Sequence, residues 1–289
     1  MCPNVLTAIK SISEFKNSDL KDYSAKYHIR INQVGEQLEY YVKDAICGSF
    51  KSSKTPDELA YSDKDFSYSG NQNNPPDFII MHGDAFEIKK IEAIRNSLAL
   101  NNSPPKDRLY RDDPRITQHC RNVEGGNWKT KDIFYVVGCT PKNAKGKLKY
   151  LFFVHGLCYA AEKSVYESKA VPLKNNIDTF FKANGWETTE TSELGRINRM
   201  DPLGITNFRI RGMWEIENPL NVFPYVYRYN ERQTFSLVAI MLKEKYECFP
   251  AENKEALERD ANITSKTVKI RNPNNPAQLL DAQLITLGW

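Results

Sequence analysis

A chain of 289 residues, 40% hydrophobic and 11% aromatic, has the material for one large core or two small ones. Its net charge of +4 permits a nucleic-acid partner without requiring one, and no apolar run reaches the ~20 residues of a membrane span. Six scattered cysteines form no C-x-x-C pair and no Cys/His cluster at zinc spacing, which argues for reduced thiols. The start, Met-Cys-Pro-Asn-Val, lacks the basic-then-apolar plan of a signal peptide. A soluble, cytoplasmic protein is the expectation.

Residues 4–15 read as a short helix capped by Asn4, with Val5, Leu6, Ile9 and Ile12 on one face. A stronger helix is predicted over about 33–49, where Val34, Leu38, Tyr41, Val42, Ala45 and Ile46 make an apolar stripe. Glu36 and Glu39 lie beside that stripe as helix neighbours. Residues 51–76, rich in Lys, Ser, Asp and Asn and ending in Gly70-Asn-Gln-Asn-Asn-Pro-Pro, read as loop.

Residues 75–91 then read as strand, turn, strand. Phe78–Met81 is a short apolar run, His82-Gly83-Asp84 is turn chemistry with Gly83 free to take positive φ, and Ala85–Ile91 alternates. Side chains at i and i+2 share a strand face, so Glu87 and Lys89 point one way while Phe86 and Ile88 point the other. Asp77, Glu87 and Lys89 together would set two carboxylates and an amine over an apolar floor. Two carboxylates, with the backbone carbonyl of Ile88, suit a hard cation such as Mg²⁺, and the amine can orient water and offset charge at a phosphate. The bland alternative is a surface hairpin with a Glu–Lys pair.

Further along, a helix is expected over about 114–123 with Asp113 as cap and Pro114 first in the helix. Buried strands are expected at 132–138 and 148–155, helices at 157–169 and 174–184. From 186 on, short aromatic-rich strands are expected at 208–210, 213–216, 222–229 and 235–242. These elements predict a mixed α/β fold with a central sheet of about four to five strands flanked by helices, and a C-terminal aromatic and arginine-rich β elaboration. The chain is read as one catalytic domain, residues 1–185 forming the core and 186–289 the recognition part.

The stretch Pro76-Asp77…Glu87-Ile88-Lys89 resembles the motif of the PD-(D/E)XK nuclease superfamily. Gly70-Asn-Gln-Asn-Asn-Pro-Pro-Asp and Gly83-Asp-Ala-Phe-Glu-Ile-Lys-Lys-Ile-Glu look like type II restriction endonucleases of the NgoPII kind. The likeness covers roughly residues 30–165. The resemblance implies a restriction-endonuclease-like core, metal binding by Asp77 and Glu87, and Lys89 as catalytic lysine. It also implies a helix-borne glutamate, for which Glu39 fits best and Glu36 second. A Mg²⁺-dependent homodimer cutting double-stranded DNA at a short palindrome such as GGCC is the expectation. Its rivals are a structure-specific or repair nuclease and a DNA-binding protein without catalysis.

For reading DNA, Arg196–Arg232 holds six arginines and no lysine, and arginine's planar fork matches the guanine edge. Arg209, Arg211, Arg228 and Arg232 are the base-contact candidates. Asn71, Gln72 and Asn73 are candidates for adenine edges or the minor groove, and Lys106 and Arg108 for phosphate. The basic tail 266–271 reads as an arm on the DNA backbone or, the plainer reading, as an exposed basic end. The absence of a Gly-rich phosphate loop argues against a nucleotide cofactor.

Overall fold

The computed structural model describes residues 3–20, 34–50, 64–71, 74–144, 146–191 and 193–289. In α1 (Val5–Phe15) Asn4 is the cap, its Oδ1 accepting from the N–H groups of Leu6 at 2.8 Å and Thr7 at 3.1 Å. This satisfies donors that a helix start leaves without partners. The apolar stripe of α2 (Val34–Cys47) buries Leu38, Tyr41, Val42, Ala45 and Ile46.

The strands are β1 (Phe66–Asn71), β2 (Asn74–Ile80), β3 (Ala85–Ile91), β4 (Leu98–Asn101), β5 (Arg108–Tyr110), β6 (Thr130–Cys139) and β7 (Tyr150–His155). They are followed by β8 (Gly195–Ile197), β9 (Phe208–Ile210), β10 (Trp214–Ile216), β11 (Ser236–Leu242), β12 (Ile263–Asn272) and β13 (Asn275–Gly288). The main sheet runs β1-β2-β3-β6-β7-β11-β13-β12, and β5 pairs with β6. It is mixed: β3 is parallel to β6 and β7 to β11, and the other pairs are antiparallel.

Alternation along the central strands divides the core in two. Phe78, Phe86, Phe134, Val136, Leu151 and Phe153 face α1 and α2. Ile79, Ala85, Ile133, Tyr135, Val137 and Phe152 face the opposite layer, which contains Ile116, Cys120, Trp128, Tyr159 and Phe223. The approach of α2 is close: a Cβ on Gly138 of β6 would stand 2.6 Å from the Leu38 side chain. Glycine there lets the helix lie against the sheet.

The mixed α/β class holds, but the sheet is wider than the four to five strands expected. Part of the tract read as loop is β1, whose Phe66 and Tyr68 are buried. The exposed tail is β12, and it pairs with β13, which lies inside the sheet beside β11. The strand expected over 222–229 is instead the end of a short helix (Pro219–Val222) followed by turn, since proline at 224 supplies no N–H to a ladder. The two helices expected between 157 and 184 are a short turn, Gly156–Tyr159, and one long helix, Lys163–Ala183. Near residue 117 the helix starts later than predicted: Thr117 caps Gln118–Asn122, while Asp113 Oδ1 accepts from Arg115 N–H in a local turn. At the hairpin tip His82, not Gly83, has positive φ (53°), and its N–H donates to Glu124 Oε1 at 2.9 Å.

Candidate active site

The β2–β3 pairing consists of Phe78 opposite Phe86 and Ile79 opposite Ala85. Beyond these rungs β2 holds Pro75 and Pro76, which have no N–H to give. The Asp77 side chain fills the gap, its Oδ2 accepting from Ile88 N–H at 2.5 Å. Asp77 shares its face with Ile79, and Glu87 and Lys89 share theirs with Ala85, so all three lie on the side away from α2.

Lys89 Nζ donates to Glu87 Oε1 at 2.7 Å. Glu87 Oε2 is buried without a hydrogen-bond partner among the described residues. Burial, and after it the Glu87 charge, pushes the Asp77 carboxyl up to about 8 against the opposing pull of Lys89 and Ile88 N–H. Burial alone would lower the Lys89 amine, but Glu87 and Asp77 outweigh it and hold it raised. The site therefore holds two crowded carboxylates served by one ammonium. A buried, partnerless carboxylate oxygen beside a second carboxylate fits a hard divalent cation, which borrows one or two carboxylates and keeps several waters. Among the described residues no group of three or more His, Cys, Asp and Glu forms a closed metal cage.

Glu39 is near enough to raise Asp77, as the weakest of the charges that do so. Its Oε1 accepts from Lys43 Nζ at 2.7 Å. Lys43 is buried, 5.3 Å from the centre of the Phe78 ring, and was absent from the sequence-based site. Its position four residues after Glu39 on a helix is the signal that identifies such a pair. The side chain of Glu36 lies outside the described residues.

The DNA-reading candidates do not form one cluster. Lys106, expected at a phosphate, is buried, with its amine bonded to buried Asp113. The apolar layer around it requires the charge to be paired. Arg108 pairs with Asp132 at 3.0 Å. Arg209 grips Glu193 through two hydrogen bonds, 2.8 and 2.6 Å, and Arg211 Nε shares the same carboxylate at 2.7 Å. Arg228 and Arg232 are exposed in the turns before β11. Gln72, Asn73 and the side chain of Asn71 lie outside the described residues.

A second charged group was not foreseen. Lys245 reaches Asp84 Oδ1 at 2.5 Å and Asp132 Oδ2 at 3.0 Å, with buried His155 3.5 Å from Asp132. Asp84 sits just before β3, so Lys245 ties the strand of Glu87 and Lys89 to the segment after β11. Lys245 and Asp84 are 161 positions apart in sequence, and nothing local connects them.

No solved structure matches the chain. A model of the NgoPII restriction endonuclease family matches residues 3–272. The chain is 42% identical over 284 residues to the type II restriction enzyme NgoPII of Neisseria gonorrhoeae, covering 98% of this chain and 99% of that protein. Matches of that extent take in the hairpin, the helix of Glu39 and the β11 region together, and the chain belongs to the NgoPII restriction endonuclease family.

Proposed function

We propose that the protein is a Mg²⁺-dependent type II restriction endonuclease that hydrolyses phosphodiester bonds of double-stranded DNA at a short palindrome, GGCC being the sequence the family likeness favours. The observation that carries this reading is the joining of Asp77, Glu87 and Lys89 on one face of β2–β3, with one buried Glu87 oxygen lacking a partner among the described residues.

Asp77, Glu87 and the Ile88 carbonyl would hold the ion. When bound, such an ion polarises a phosphoryl oxygen and acidifies water. The protein's own groups do the rest. Lys89, kept protonated by its two carboxylate neighbours, orients the attacking water and balances negative charge building on the phosphate. The water oxygen forms the new bond to phosphorus, the ester oxygen leaves, and the protons exchange with solvent. Glu39 adds a carboxylate at the edge of the site, and Lys43 fixes its direction.

Arg209 and Arg211, aligned by Glu193, are the foremost base readers, with Arg228, Arg232 and the 71–73 loop beside them. Arg108 is the phosphate candidate that stays at the surface, and buried Lys106 is no longer among them. A homodimer suits a palindrome, because twofold symmetry in the protein matches twofold symmetry in the DNA. Exposed apolar side chains support such an interface: Val171, Leu173, Phe180, Leu203, Ile205 and Met213 all fall between residues 171 and 213.

The test is to incubate the protein with plasmid DNA and Mg²⁺ and to sequence the fragment ends. Ends that map to one short palindrome support the proposal. Cutting only at flaps or junctions, or wild-type cutting by Lys89→Ala or Asp77→Ala, defeats it.

A further inference from the structure

Beside the β5–β6 pairing lies a cleft of about 730 Å³ whose lining includes Tyr110, Arg111, Gln118, Arg121, Trp128 and Lys129. Two of these residues carry buried N–H groups that find no acceptor among the described residues, Arg121 Nε and Trp128 Nε1. Trp128 is only 9% exposed. Buried donors are nearly always paired in folded proteins, so two of them at one opening point to an acceptor that the described residues do not supply. The lining also sets three cations, Arg111, Arg121 and Lys129, against a single carboxylate, Asp112.

The donors are held in place by the main chain. Arg111 Nε donates to the Arg121 carbonyl at 3.1 Å, and Arg121 Nη2 donates to the Asp113 carbonyl at 2.7 Å. Arg111 N–H donates to the Lys129 carbonyl at 3.0 Å, joining two of the lining residues. Hydrogen bonds tie the segments around the cleft to β1 and β2. Asn74, at the start of the strand that carries Asp77, donates through Nδ2 to the Arg115 carbonyl at 2.8 Å. Tyr68 Oη lies 3.1 Å from Thr117 Oγ1, the cap of the helix bearing Gln118 and Arg121. Trp128, Ile116, Tyr68 and Ile79 share one core layer, on the sheet face that carries Glu87 and Lys89.

We propose that this cleft binds a phosphate group, and that the group is a backbone phosphate of the DNA outside the scissile position. A phosphate offers several acceptor oxygens to a guanidinium fork, an ammonium and an indole N–H at once. The DNA source rests on the nuclease reading above; the phosphate chemistry rests on the cleft alone.

The experiment has two arms. In the first, binding of a duplex carrying the cleavage site is measured in Ca²⁺, without cutting, over a salt series for the wild type, Lys129→Ala and Trp128→Phe. Lys129→Ala is expected to weaken binding several-fold on every sequence and to reduce the log–log salt slope by about 1. Trp128→Phe, which keeps the ring and removes the donor, is expected to weaken binding with little change in slope. An unchanged slope and affinity for both variants overturns the DNA assignment, even if inorganic phosphate binds. In the second arm, inorganic phosphate is titrated against tryptophan fluorescence of the wild type and Trp128→Phe. A saturable change that Trp128→Phe abolishes supports the cleft even if the protein proves not to cut DNA. No change in this arm together with no effect in the first removes the site altogether.

Discussion

The N–H of Ile88 donates to Asp77 Oδ2 at 2.5 Å where another β2–β3 rung would otherwise stand, so the proposed metal ligand is also what completes the strand edge. Asp77 thus has two tasks that pull against each other. The hydrogen bond favours its charge, while burial and Glu87 oppose it and win, raising the carboxyl from the ordinary 3.8 to about 8.

A raised carboxyl pKa has a definite sign. Its contribution to stability is full below pH 4 and is lost as pH rises through about 8. Asp77→Asn, which keeps an acceptor for Ile88, is therefore expected to stabilise the metal-free protein by a few kcal/mol above pH 8 and hardly at all at pH 4. Urea denaturation at the two pH values checks this. An equal effect at both would mean that the charge is not the source of the strain. Mg²⁺ should likewise stabilise the wild type more as pH rises toward 8, since it competes with the proton on Asp77.

Lys89→Met keeps the side chain's length and removes its charge. The expected result is a loss of cleavage rate on the order of 10²–10³, with DNA affinity in Ca²⁺ within a few-fold of wild type. Single-turnover cleavage separates the two quantities. An equal fall in binding and cutting would make Lys89 a DNA anchor instead of a group acting on the reaction.

Gly70 stands where a Cβ would meet the Pro76 carbonyl at 2.3 Å. Gly70→Ala must shift the backbone that delivers Asp77. It is expected to cost about 1–3 kcal/mol and to slow cutting. Thermal unfolding and plasmid cleavage measure both. Wild-type activity in Gly70→Ala would show that the start of β2 need not lie so close to β1.

Glu193 holds the forks of Arg209 and Arg211 together. Glu193→Gln keeps its shape and releases the charge. Binding to unrelated DNA should tighten several-fold at low salt, and the ratio of cognate to unrelated affinity should fall. If competition binding gives the wild-type ratio, the alignment is not what confers discrimination.

Lys245 is the cation between Asp84 and Asp132, all three largely buried. Lys245→Met leaves two carboxylates without it and is expected to cost about 3–5 kcal/mol near neutral pH. Burial already raises Asp84, so the deficit should shrink as pH falls and Asp84 takes up a proton. Chemical denaturation across pH tests this, and a deficit that ignores pH would point to lost packing alone.

The alternation Phe86-Glu87-Ile88-Lys89 was legible in the sequence, because a strand's period of two leaves no choice about which side chains share a face. The same holds for the Asn4 cap and the apolar stripe of α2, where local hydrogen bonding and a 3.6-residue period suffice. Local pattern also put two carboxylates and an amine on the hairpin, after a Pro-Pro that offers no N–H. Tertiary structure decided the rest. The 222–229 segment has the aromatic texture of a strand, yet it packs Phe223 into the core from a turn, and the basic tail pairs with β13. Only the folded chain brings Lys43 under the hairpin and Lys245 to Asp84, since burial and partnership are set by elements far apart in sequence. The residues that bear the proposed reaction were fixed locally, while what neutralises, aligns and surrounds them depends on long-range packing, to which sequence periodicity is blind.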